Sequence, residues 1–111
     1  MQLSSQDIDG AQVIRVEEDR IDAAVAIQFK DRMREIAGNG GRIILDLGQV
    51  GFVDSSGLGA IVAVMKFLAP AGRLELAALT PNVSKVFHMT RMDSVFTIHL
   101  QAPGQGHGHA A

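Results

Sequence analysis

The sequence predicts one α/β domain with a mixed, mostly parallel sheet and the element order β-β-α-β-α-β-α-β over residues 1–100. Three observations carry this reading. Apolar strand-like runs alternate with segments of helical periodicity, a pattern that right-handed crossovers convert into parallel strands. The 111 residues suit a single ordinary core. The 47% hydrophobic and 20% charged residues give a globular balance.

Residues 1–8 form the first expected strand, and Asp9-Gly10 is a hairpin turn signal. Residues 11–16 form the second strand, with Ile14 and Val16 on one face and Val13 on the other. Asp22 is placed to cap a helix from about residue 23 to 37. Ala26, Phe29, Met33 and Ile36 recur there at helical spacing, and Gly38 is a stop. Asn39-Gly40-Gly41 makes the turn into a strand over 42–47, where Ile43, Ile44 and Leu45 suit burial on both faces. A second helix is expected over 57–68, capped by Ser56 or Ser55. A strand over 74–79 follows, and Thr80-Pro81 opens a third helix with proline at its first position. Val83, Val86 and Phe87 give that helix its apolar stripe. A last short strand covers 95–100, and the Gly/His-rich residues 101–111 read as a flexible tail.

Composition excludes several function classes. With no cysteine, disulfides and thiolate chemistry are out. The net charge is −2 and no Lys/Arg block is present, whereas a nucleic-acid ligand needs a concentrated basic footprint. The first ten residues have neither the basic start nor the apolar stretch of a signal peptide. The most apolar run, residues 60–70, is interrupted by Lys66 and is too short to span a bilayer. A cytoplasmic protein without a membrane or nucleic-acid partner is expected.

The chemistry concentrates between Ile43 and Phe67. A buried strand leads through a short loop into Asp54-Ser55-Ser56-Gly57-Leu58-Gly59, where a helix begins. This stretch resembles the signature of the STAS family, in particular the anti-sigma factor antagonists of bacterial partner-switching systems. The element order up to about Leu100, the Ile21-Asp22 helix start and the Thr80-Pro81-Asn82-Val83 segment agree with that family. The resemblance implies a signalling protein with no enzymatic activity and no cofactor. It implies that Ser56, directly before the first glycine, is phosphorylated by a serine kinase that is also the anti-sigma factor. The unphosphorylated form binds this kinase and so regulates transcription, phosphorylation releases it, and a serine phosphatase resets it. Weak self-association is a further option.

Local physics is compatible with that role. A helix N-terminus offers free N–H groups and a partial positive charge, so it tolerates a phosphate of roughly −1.5 to −2 charge. Gly57 and Gly59 are expected to leave room beside the serine, and Asp54 to orient it or touch the partner. The competing reading makes Ser55 and Ser56 simple helix caps. Along the second helix, Leu58, Ile61, Val62, Met65 and Leu68 share one face, the expected core side. Ala60, Ala63 and Phe67 lie opposite, with Val64 at the edge. The expected partner surface therefore comprises Asp54, Ser55, Gly57, Leu58, Gly59, Ala60 and Phe67.

Other candidates are set aside. His107 and His109 sit in the tail without a nearby carboxylate, and His88 and His99 lack neighbours at ligand spacing, so no metal site is expected. Gly38-Asn39-Gly40-Gly41 lacks the lysine and Ser/Thr of a P-loop. Ser56 is not in a nucleophile elbow, which counts against a hydrolase or transferase. Asp46 and Asp54 do not read as an acid/base pair, and Asp22 is better explained as a cap. The alternative function is a phosphorylation-independent STAS scaffold or transporter-associated subunit.

Overall fold

Asp9 and Gly10, both at positive φ, reverse the chain between strands β1 (Leu3–Ile8) and β2 (Ala11–Val16). Two left-handed residues in succession give the tight hairpin whose twist matches that of its strands, which is why Asp-Gly is favoured there. The structure is a computed structural model, described here for residues 1–38 and 40–104.

From β2 the chain passes through β3 (Arg20–Ile21) into helix α1 (Ala26–Ile36), then β4 (Gly41–Asp46), β5 (Phe52–Val53) and helix α2 (Ser55–Leu68). It continues through β6 (Gly72–Ala77), helix α3 (Pro81–Met89), a 3₁₀ turn (Met92–Ser94) and β7 (Ile98–His99). The main sheet has the order β1-β2-β4-β6-β7, antiparallel only at β1–β2. The mixed sheet with three crossover helices is the expected architecture.

Alternation divides the sheet residues between two faces. Ile14, Val16, Ile43, Leu45, Leu74 and Leu76 join Phe29 and Met33 of α1, Ile61 and Val64 of α2, and Val83 and Phe87 of α3 in the main core. Ala11, Val13, Ile44 and Ala77 form a smaller cluster with Ala102 on the other face. The division of Ile14 and Val16 from Val13 is as the alternation requires. Ala102 is 3% exposed, so packing extends beyond the expected limit at residue 100. Tail residues 105–111, with His107 and His109, and the turn residue Asn39 lie outside the described residues.

Several boundaries differ from expectation. Helix α1 starts three residues late, because Asp22 Oδ1 accepts the Ala24 N–H at 3.1 Å and holds the preceding segment as a turn. Its N-cap, Val25, has no capping side chain. The parallel ribbon β3–β5, pairing Arg20 with Phe52 and Ile21 with Val53, was not legible in the sequence. Strand β6 ends at Ala77, before Ala78 turns to positive φ. The last strand is reduced to Ile98–His99 by the 3₁₀ turn before it. At α3, Pro81 takes the first turn as expected, but Thr80 donates its hydroxyl to the Val50 carbonyl at 2.7 Å instead of capping.

Candidate partner-binding site

The sequence motif lies where β5 passes into α2. Val53 is buried, and Asp54 follows in extended conformation as the helix N-cap. Its Oδ1 accepts the Gly57 N–H at 2.8 Å and its Oδ2 accepts the Ala23 N–H at 3.1 Å. One carboxylate thus caps α2 and ties the segment before α1 to it. The Gly57 N–H, with lesser help from Ala23 and Ser56, holds the Asp54 carboxyl below its ordinary value against partial burial.

The cap is therefore Asp54, not Ser55 or Ser56. Asp, Ser and Ser stand side by side and all are good caps, so register alone decides between them. The consequence is functional. Ser55 and Ser56 are both exposed on the first turn of α2 and carry no capping duty.

The remaining motif residues divide sharply. Gly57 is buried, and a Cβ there would overlap the Ile21 carbonyl oxygen. Its small size does not serve to open space beside Ser56; it seats α2 on β3. Gly59 is exposed and faces open space, while Leu58 is half-buried. Ala60 is 3% exposed and packs in the core, so it cannot contact a partner. The buried stripe of α2 is Gly57, Ala60, Ile61 and Val64, whereas Leu58, Val62, Met65 and Leu68 are only half-buried. The expected core side is thus kept at Ile61, and Leu58, Val62, Met65 and Leu68 pack partly buried against the core, but the fully buried stripe is rotated toward Gly57, Ala60 and Val64.

Phe67 is also displaced from its expected role. It is half-buried against the core, and the Arg34 guanidinium lies 4.2 Å from its ring centroid. Asp54 joins Ala23 at one end of the helix pair, and Arg34 covers Phe67 at the other. Helices α1 and α2 therefore lie side by side with their N-termini at the same end. The flank of α2 that carries Phe67 is covered by α1.

Exposed apolar groups occur in the two segments that Asp54 joins. Phe52, two residues before Asp54, is 47% exposed, and Ile27 in the first turn of α1 is 69% exposed. The Arg20 guanidinium sits 5.4 Å from the Phe52 ring centroid and 3.4 Å from Asp22 Oδ2. Neither Phe52 nor Ile27 was singled out from the sequence. Each is an apolar residue beside a core position, Val53 and Ala26, and only the direction of the backbone separates them.

The other titratable candidates do not join this site. Asp46 is buried and faces Arg15 of β2 at 3.9 Å. His88 pairs with Asp93 at 3.0 Å, and His99 with Glu75 at 2.8 Å. Among the described residues, no group of three or more His, Cys, Asp or Glu side chains could hold a metal. No helix among them is long and apolar enough to cross a membrane.

Comparison with known proteins places this geometry. The family model of the STAS domain matches residues 2–102. The chain belongs to the STAS domain family. A Bordetella bronchiseptica relative named as an anti-sigma factor antagonist, BtrV, is 31% identical over 100 residues, covering 88% of this chain and 85% of the relative. An anti-sigma-factor antagonist (STAS) domain protein from Planctomyces limnophilus superposes with a TM-score of 0.76 at 20% identity, covering 98% of both chains. The anti-sigma factor antagonist SpoIIAA in its unphosphorylated form gives 0.67 at 23% identity, covering 99% of this chain and 98% of its own. Bacillus SpoIIAA in its phosphorylated form gives 0.63 at 23% identity, covering 98% of both chains. These two structures share the STAS fold with this chain.

Proposed function

We propose that this protein is an anti-sigma factor antagonist that acts in the cytoplasm and whose binding is switched by phosphorylation of Ser56. In the unphosphorylated form it binds a serine-kinase anti-sigma factor. Phosphorylation releases it, and a serine phosphatase restores the binding form. The name carried by the Bordetella relative supports the class. The observation that carries the switch is the exposure of Ser56 on the first turn of a helix capped by another residue, Asp54.

That division of labour suits a reversible modification. A phosphate on Ser56 removes no cap, so α2 keeps its start. The N-terminus of α2 favours the added negative charge, and the Asp54 carboxylate opposes it. The fold is retained while the surface gains charge and bulk. A loss of roughly 3 kcal/mol at the contact weakens binding about a hundredfold, enough for a switch.

The test is phosphosite mapping in cells together with dissociation constants for the partner kinase in the presence of nucleotide. Ser56→Ala is expected to bind persistently, Ser56→Asp to bind weakly as a partial mimic, and the phosphorylated protein to bind least. Phosphate confined to Ser55 overturns the site. Equal affinities for all forms overturn the switch and leave a phosphorylation-independent scaffold or transporter-associated subunit.

A further inference from the structure

We propose that the outer face of the sheet, turned away from the three helices, carries a binding site for a small monocarboxylate with a compact apolar body, gripped by Arg15. The site is separate from Ser56 and does not rest on its phosphorylation.

Register and alternation build the site. Ser4 pairs with Arg15 and Gln6 with Val13 across β1–β2, and Arg15 pairs with Asp46 across β2–β4. Residues opposite one another in register share a face of the sheet. Val13 belongs to the outer cluster, so these side chains all project to the outer face. After β7 the chain returns across that face. Ala102 is buried in the cluster of Val13, Ile44 and Ala77. Gly104, at positive φ, lies so close to β1 that a Cβ on it would stand 2.9 Å from Ile8 Cδ1. Pro103 and Gly104 are thereby held as a wall. Between this wall and the strands lies a cleft of about 710 Å³, within the size range of small-molecule sites.

The chemistry of the lining selects the ligand. Arg15 is the cation of the cleft. Its side chain is 43% exposed, yet its Nε–H is buried and makes no hydrogen bond among the described residues. Asp46 Oδ2 stands 3.9 Å away, beyond hydrogen-bond reach. Arg42 on the same face is the contrast, since its Nε and Nη2 both engage Glu75. A buried N–H left unpaired is disfavoured. A modest turn of the half-exposed Arg15 side chain brings its Nε–H and a terminal N–H to the cleft together. That fork holds a carboxylate by two parallel bonds. The Ser4 hydroxyl and the Gln6 amide add donors. Val13 and Pro103 offer apolar surface for the ligand's body. Asp46 sets the charge limit. Its carboxylate, 2% exposed in the same lining, repels a second negative charge, so a monoanion is favoured over a phosphate dianion.

The experiment titrates the full chain with benzoate, benzamide and phenyl phosphate, which share a ring and differ in charge, and follows backbone amide shifts by NMR. The pH is about 8, where a phosphate monoester is a dianion. Benzoate should shift the amides of Ser4, Gln6, Arg15 and Gly104 saturably. Benzamide should not, and phenyl phosphate should bind more weakly than benzoate. Arg15→Lys keeps the charge but loses the fork, and should weaken benzoate roughly tenfold, the loss of one charge-assisted hydrogen bond. Ser4→Ala, on the edge strand, should weaken it about threefold and gives a second reading of the site should Arg15→Lys fail to fold. Arg73→Gln removes another arginine of the outer face and should leave benzoate affinity unchanged. Thermal melts verify folding of each variant. Wild-type benzoate affinity in the folded Arg15→Lys or Ser4→Ala protein, or shifts scattered over the surface without saturation, overturns the site. Tighter binding of phenyl phosphate than of benzoate overturns the carboxylate class.

Discussion

Gly57 lies against the carbonyl oxygen of Ile21 so closely that a methyl group on it would overlap that oxygen. Its value is lack of volume, not backbone freedom. The contact seats the first turn of α2 on β3, and Ile21 is paired in turn with Val53 just before the motif. Ribbon, cap and helix start are locked together, and Ser55 and Ser56 project from the result. The first glycine of the motif therefore acts beneath the serine instead of beside it.

This relationship separates two glycines that look alike in sequence. Gly57→Ala must displace backbone, and overpacking of this kind costs about 1–3 kcal/mol. Gly59 faces open space on the same helix. Gly59→Ala should leave stability unchanged or raise it by up to about 1 kcal/mol through helix propensity. Urea denaturation of both variants checks the pair, and equal effects would contradict the close approach at Gly57.

Asp54 should behave as the keystone of the same region. Its replacement by alanine removes the acceptor for two backbone N–H groups at once, Gly57 and Ala23. Asp54→Ala should lower the urea midpoint and increase amide exchange at both positions. Asp54→Asn keeps an acceptor for Gly57 and should do less harm. Because the folded carboxyl is held below its ordinary value, its stabilisation is present above the unfolded pKa and is lost as pH falls through the folded one. In Asp54→Asn this part of the acid sensitivity should vanish.

Elements were legible wherever a repeating pattern ran long enough. The alternation in β2 and the Ile43-Ile44-Leu45 run of β4 placed the sheet, and Ala26, Phe29 and Met33 placed α1. The ribbon β3–β5 escaped because two residues per strand carry no period. Part of the core face of α2 escaped for a different reason: its buried stripe includes Gly57 and Ala60, and Gly57 meets β3 only because it has no side chain. The cap was ambiguous because Asp54, Ser55 and Ser56 are all capping types. Ser56 stood out only through the resemblance of Asp54-Ser55-Ser56-Gly57-Leu58-Gly59 to the STAS signature, since its local features equally suit a simple helix cap. Phe52 and Ile27 had no signal beyond being apolar, since what marks them is exposure. The ion-pair network of Glu75 was hidden because Arg42 and His99 come from strands distant in sequence.

Glu75 predicts a definite acid response. It is 1% exposed and accepts from Arg42 Nη2 at 2.9 Å, Arg73 Nε at 2.8 Å and His99 Nε2 at 2.8 Å. The Arg42 hydrogen bond is the largest influence, and the carboxyl falls from 4.5 to about 2 despite burial. A depressed carboxyl stabilises the fold above its unfolded pKa and loses that contribution as pH falls, here between 4.5 and about 2. The shift corresponds to roughly 3 kcal/mol. Glu75→Gln leaves Arg42 and Arg73, direct neighbours across β4 and β6, without a countercharge. It should lose a similar amount near neutral pH and show a flatter stability profile across the acid window. Urea titrations at pH 7, 4.5 and 3 measure both effects.

Phe67 provides the last prediction, because its two possible roles have opposite signatures. As an exposed partner residue, its replacement by glutamate would weaken binding and leave the fold alone. The structure puts the ring between the core and Arg34, at the far end of α2 from Ser56. Truncation to alanine then removes half-buried ring contacts and the cation–π contact, together about 2 kcal/mol. Arg34→Ala removes only the cation–π part, about 0.5–1 kcal/mol. Glutamate regains some of the loss as an ion pair with Arg34, so Phe67→Glu should be no less stable than Phe67→Ala despite its charge. The two substitutions Phe67→Ala and Arg34→Ala should be non-additive, since each deletes the same contact. A double-mutant cycle read by urea denaturation measures that coupling. Kinase affinity should stay at the wild-type value in every folded member of the cycle. Additive stabilities with a specific loss of kinase binding would return Phe67 to the partner surface.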